Sequence, residues 1–157
     1  MRKRIISTDK NNRSTPDDAW LDLEAIAEVE ISSEDVAYPI ESALIPGQSS
    51  GWRAIEPGQQ VIRIMFATPQ KLTRIWLCFA ETNAERTQEF RMRCSSDNGQ
   101  SFQEVVRQQW NFSPSGAISE TEDYSVEFAA VTELELSINP DINNQKAFAS
   151  LAQLRLA

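Results

Sequence analysis

Between Gln88 and Phe102 the chain reads QEFRMRCSSDNGQSF, and apolar Phe90, Met92 and Cys94 alternate with Arg91 and Arg93. A period of two sends successive side chains to opposite faces, so this stretch predicts a half-buried strand. Ser95 to Gly99 then supplies turn chemistry, with Asn98 and Gly99 both tolerant of the positive φ that a tight hairpin demands. Apolar positions resume at Phe102, Val105 and Val106. A hairpin with one apolar face must bury that face against another sheet, which points to a β-sandwich.

The same alternation recurs along the chain. Ala25, Ala27, Val29 and Ile31 predict a strand over 25–32, with a single helix over 16–30 as the competing reading. In 61–66, Ile62, Ile64 and Phe66 take inward positions and Val61, Arg63 and Met65 outward ones. Thr68-Pro69-Gln70-Lys71 reads as a turn. In the strand predicted over 72–80, Ile75, Leu77 and Phe79 point inward and Trp76 and Cys78 outward. Further extended segments are expected over 105–112, at Tyr124/Val126/Phe128, at Leu134/Leu136/Ile138 and over 149–156. About eight antiparallel strands at short spacing favour an all-β sandwich or jelly roll. Ser14-Thr15-Pro16-Asp17-Asp18 resembles a helix start, so a short N-terminal helical turn is expected over 19–24. Residues 33–53 form a long connection containing Pro39, Pro46, Gly47 and Gly51. Such loops are packed or functional, and Trp52 at its end is expected in the core.

A length of 157 residues fits one domain over 15–157 behind a polar, flexible leader at 1–14. Met1-Arg2-Lys3-Arg4 is followed by only two apolar residues, too few for a secretory signal, and no run of 18 apolar residues could span a membrane. A cytoplasmic location is the expectation. Cys78 and Cys94 fall on opposite faces, so two free thiols are expected rather than a bridge.

The net charge of −8 is unevenly distributed: nine acids and no base over 14–52, eight bases and six acids over 53–107, seven acids and no base over 108–145. The acidic balance, with a pI near 4.6, argues against a nucleic-acid partner, which requires a basic footprint. There is no histidine, which removes the commonest general base and most catalytic zinc sites. The carboxylate groups Glu120/Glu122/Asp123 and Glu133/Glu135 are expected on solvated strand faces, and no enzyme activity, cofactor or metal site is expected.

The order of these pieces resembles the discoidin-like (coagulation factor 5/8 C-type) branch of the galactose-binding-like jelly rolls. SALIPGQSSGWRA resembles that family's loop ending in a buried tryptophan, here Trp52. VIRIMFATPQKLTRIWLCF is similar to its strand, proline turn and strand, FRMRCSSDNGQSF to its central hairpin, and ELELSI and SLAQLRL to its last two strands. The resemblance covers roughly 20–156. It implies a non-catalytic module whose loops at one end bind a ligand, often carbohydrate. In place of the family's frequent acidic calcium ligand the last strand carries Gln153, and the first long loop lacks an Asp-Gly pair.

Two sets of residues are candidates for binding. At the loops, Arg53 can make paired hydrogen bonds to hydroxyls or carboxylates; Trp110 and Asn111 combine a stacking ring with a directional amide; Asn83 and Arg86 lie in the connection 81–87. On the sheet, Arg63, Arg74, Trp76, Arg91 and Arg93 share the outward face of three strands. They offer either a protein-interaction face or partners for the outward acids Glu127, Glu133 and Glu135.

Overall fold

The computed structural model describes residues 19–48 and 50–157. The expected leader at 1–14 and the helix start at 14–18 lie outside the described residues. Two one-turn helices, α1 (Leu23–Ile26) and α2 (Glu41–Leu44), accompany eight strands: β1 (Ala27–Ile31), β2 (Trp52–Pro57), β3 (Gln60–Ala80), β4 (Arg86–Ser95), β5 (Gln103–Phe112), β6 (Ser119–Asn139), β7 (Phe148–Leu151) and β8 (Gln153–Leu156). Among the described residues, no helix is long and apolar enough to cross a membrane.

β3 and β6 are each 21 residues long and run antiparallel to one another from Gln60↔Ile138 to Ala80↔Ser119. Their register shifts between Met65 and Arg74. On one side of that irregularity the strand order is β1-β3-β6-β4-β5; on the other, β8 joins β3 through Ile75↔Leu156 to Cys78↔Gln153. The two halves face each other across one core, where Phe79 of β3 meets Phe90 of β4 with ring centroids 5.1 Å apart. A separate ribbon pairs β2 with β7.

The alternation read from the sequence matches burial in β3 and β4: Ile62, Ile64, Phe66, Phe90, Met92 and Cys94 are buried and Arg63, Arg91 and Arg93 are not. Trp52 is buried as expected, its indole N–H donating to the Ser33 carbonyl at 3.1 Å. The eight strands are not the eight expected segments, however. The turn expected at 68–71 is instead strand with an irregularity: the β6 ladder stops at Met65↔Glu133 and resumes at Gln70↔Val131, so the extra residues of β3 around Pro69 bulge out of the pairing while the chain stays extended. β2 emerges from the end of the long connection, the closing segment divides at Ala152 into β7 and β8, and the strand expected at 25–32 begins only after the α1 turn.

Trp76 and Cys78 are not exposed, though both lie on the face away from Ile75 and Leu77: Trp76 is 3% and Cys78 0% accessible. A second layer covers this side. The Arg74 guanidinium sits 5.1 Å over the Trp20 ring, the Leu21 amide bonds to the Leu156 carbonyl, and Arg155, opposite Trp76 in β8, donates to the Ala43 carbonyl of α2 at 2.8 Å. A two-period pattern reports which side chains share a face; it does not say whether that face meets water. Cys78 and Cys94 are both buried and are not joined in a disulfide.

Candidate functional site

At one end of the sandwich, the start of β2, the β7–β8 corner and the chain leaving β3 enclose a polar cavity of about 130 Å³. Its lining includes Tyr38, Ser50, Arg53, Thr82 and Ser150. Local backbone chemistry explains how they converge. Gly51 adopts φ +69°, and a Cβ there would lie 2.8 Å from the Leu151 carbonyl oxygen, so the chain enters β2 pressed against β7. Trp52↔Leu151 and Arg53↔Ser150 are register partners, which puts the Arg53 and Ser150 side chains on one face of the ribbon. The Arg53 amide donates to the Tyr38 carbonyl at 3.1 Å and the Asp35 amide to the Arg53 carbonyl at 2.8 Å. Those bonds bring the phenol ring under the guanidinium, 5.0 Å from its carbon. Arg53 is exposed and forms no ion pair among the described residues.

Arg86 belongs to the scaffold beneath this rim. It is the first residue of β4, not a loop residue, and it is 7% accessible. Its Nη1 donates to the Phe148 carbonyl at 2.9 Å and lies 3.3 Å from the Glu81 carboxylate, and its guanidinium rests over the Phe112 ring. Burial lowers its pKa most; Glu81 opposes this and the nearby Arg53 charge adds to it. Its Nε and Nη2 are buried and lack partners. Glu81 also accepts from the backbone amides of Asn83 and Ala84 at 2.8 and 3.0 Å. The Glu81–Arg86 pair thus shapes the 81–86 loop that presents Thr82. Asn83 is exposed on that loop but does not line the cavity.

Trp110 and Asn111 are strand residues, opposite Gln88 and Thr87. The Asn111 carbonyl oxygen accepts the Thr87 hydroxyl at 2.7 Å. Trp110 is half-buried and packs against the core, with its indole N–H buried and without a partner. Neither lines the cavity. Of the five loop candidates, the structure brings Arg53 to the cavity and Arg86 beneath it. Tyr38, Ser50, Thr82 and Ser150 were not singled out from sequence. Tyr38, an aromatic next to Pro39 in a long connection, was the one available signal; the three hydroxyl residues carried none.

The sheet candidates are largely paired. Glu135, 4% accessible, accepts from Arg63 at 3.1 Å and from Arg93 at 3.1 and 2.5 Å. Burial alone would raise its pKa, but the hydrogen bonds and charges of Arg93 and Arg63 outweigh burial and hold it below the ordinary value. Arg74 makes a two-point contact with Asp123 at 2.9 and 2.7 Å. With Trp76 buried, Arg91 alone of this set has no acidic partner among the described residues.

The expectation of solvated carboxylates fails at Glu135 and at Glu120, which is 1% accessible. Gln108 bridges Glu120 and Glu122 through its amide N–H groups, and Tyr124 donates to the Gln108 carbonyl oxygen at 2.6 Å. Burial, then the neighbouring Glu122 carboxylate, push the Glu120 pKa up to about 8. Gln108 of β5 reaches over the Glu120 and Glu122 side chains of β6, an arrangement that strand periodicity cannot reveal.

The two-layer antiparallel architecture with β3 and β6 shared between layers is the discoidin-like galactose-binding jelly roll. No protein-family model and no curated protein matches the chain. Among solved structures it is similar to CBM32-3 (CBM, carbohydrate-binding module) from a family 31 glycoside hydrolase of Clostridium perfringens, with TM-score 0.64, 17% identity, and 87% of this chain and 93% of that one covered. It is also similar to the CBM32 of AlyQ in complex with 4,5-unsaturated mannuronic acid, with TM-score 0.61, 19% identity and coverage of 84% and 95%. The family 32 CBM from C. perfringens NanJ in complex with galactose gives TM-score 0.60, 15% identity and coverage of 83% and 92%. At these identities the likeness is one of fold.

Proposed function

We propose that this chain is a non-catalytic carbohydrate-binding module that takes a sugar at the cavity beside Arg53. The observation that carries the reading is the Arg53 guanidinium lying over the Tyr38 ring at the rim of a small polar cavity. Sugars are held by an apolar or aromatic surface for their C–H faces and by directional donors and acceptors for their hydroxyls. Tyr38 supplies the first, and Arg53, Ser50, Thr82 and Ser150 supply the second. Arg86 and Glu81 contribute by holding the loop and not by contact. The solved modules of the same fold in complex with galactose and with 4,5-unsaturated mannuronic acid support the ligand class.

The test is a glycan array probed with the parent chain and with Arg53→Ala and Tyr38→Ala variants. The reading expects saturable binding by the parent and a loss of tenfold or more in each variant, about the worth of one charge-assisted hydrogen bond or one stacking contact. Absence of binding to every glycan would overturn it, and undiminished binding by both variants would move the site elsewhere.

A further inference from the structure

The face shared by β1, β3, β6, β4 and β5 shows how this chain neutralises its strand arginines. One row across the five strands reads Glu30, Arg63, Glu135, Arg93 and Glu104, each the register partner of the next. Its charges alternate in sign, and Glu135 bridges the two arginines. The adjacent row reads Val61, Ser137, Arg91 and Arg107. Here two arginines stand directly opposite each other on β4 and β5, with a serine where the first row has its acid.

Like charges at directly opposed positions oppose strand pairing. Arg91 has no ion pair or side-chain hydrogen bond among the described residues. Arg107 has only long contacts, 3.9 Å to Glu89 and 3.8 Å to Glu104. Glu89 is itself engaged by the Gln109 amide at 2.9 Å. The two arginines border a depression of about 160 Å³ whose other polar walls are Gln59, Ser137, Asn139 and Glu89.

We propose that this depression is a second ligand site, and that it takes the carboxylate of an acidic sugar between Arg91 and Arg107. Two guanidinium forks match the planar geometry of a carboxylate, and an anion placed there turns a repulsive pair into an attractive one. The hydroxyl of Ser137 and the amides of Asn139 and Gln59 are neutral groups that suit ring hydroxyls. This favours a uronate over a bare inorganic anion. Glu89 on one wall disfavours ligands carrying several negative charges. The site is built from strand side chains and does not depend on the loop-end cavity.

The test follows the arginine Nε–H resonances of the full chain by NMR during titration with D-glucuronate, its methyl ester, D-glucose and inorganic sulfate. The proposal expects saturable shifts at Arg91 and Arg107 with glucuronate. It expects affinity at least about tenfold weaker for the ester and for glucose, as the loss of a charge-assisted contact implies. Arg91→Gln should lose the same factor, whereas Arg53→Ala should leave this response unchanged. The ester comparison uses the parent chain, so it stands even if Arg91→Gln folds poorly. Absence of shifts, equal response to acid and ester, or a response to sulfate without glucuronate would overturn the proposal.

Discussion

Glu120 gives the sharpest prediction. It is 1% accessible, and no basic side chain pairs with it among the described residues. Burial, followed by the adjacent Glu122, raises its pKa from 4.5 to about 8. In the unfolded chain this carboxyl ionises above the ordinary glutamate value; in the native chain it keeps its proton through neutral pH. Between those two values the unfolded state binds fewer protons, so stability must fall as pH rises and level off above the native pKa. One fully differential proton is worth about 1.4 kcal/mol per pH unit. Glu120 sits in a hydrogen-bonded cluster with Gln108, Tyr124 and the neighbouring Glu122 carboxylate, and such close coupling tempers the slope. We expect a loss of about 2 kcal/mol between about pH 5 and pH 8. Glu120→Gln keeps the shape and removes the titration. Urea denaturation of both proteins across that range is the assay, with the m-value checked for constancy. The difference between parent and variant should shrink or reverse in the variant's favour as pH rises. Parallel stability curves would refute the assignment of a retained proton to this cluster.

Glu135 should behave in the opposite sense. Its pKa is held below the ordinary value, so its contribution is present above that value and is lost as pH falls through the lowered one. Glu135→Gln leaves Arg63 and Arg93 facing each other across β6 and should cost about 1–2 kcal/mol, discounted for their partial exposure; chemical denaturation at pH 7 with and without high salt measures it. Phe79→Ala removes a fully buried ring packed on Phe90 and should cost about 3–5 kcal/mol by the same assay. Gly51→Ala forces a side chain into φ +69° and against the Leu151 carbonyl, so thermal denaturation should show a loss of about 2 kcal/mol, and sugar binding at the Arg53 cavity should weaken with it.

The strands of the sandwich core were legible because their physics is local. Alternation in 61–66 and 88–94 reports which side chains share a face, and Asn98-Gly99 reports a turn: both carry positive φ in the structure, 60° and 85°. The bend in β3 at Pro69 was read as a break because a proline-containing turn and an irregular strand look alike in sequence. The partner β6 decides between them by taking up the ladder again at Gln70↔Val131, past the register shift that holds Pro69.

The candidate site was legible only at its one long charged member. Arg53 could be picked out because an arginine at a loop end, beside a tryptophan expected in the core, can make paired hydrogen bonds to hydroxyls or carboxylates. Tyr38, Thr82 and Ser150 come from segments up to 112 positions apart, and what joins them is the β2–β7 register and the Glu81–Arg86 pair. Solvation was equally nonlocal. Trp76 and Glu120 lie on faces that periodicity calls outward, and each is buried because another element, the N-terminal segment or β5, closes over it. By itself the sequence determined the period, the Asn98-Gly99 turn and the sandwich class, since these follow from neighbours in the chain. Tertiary structure alone decided which polar groups meet water, which meet each other, and which remain free for a ligand, because burial and pairing depend on the distance between strands and not on their order.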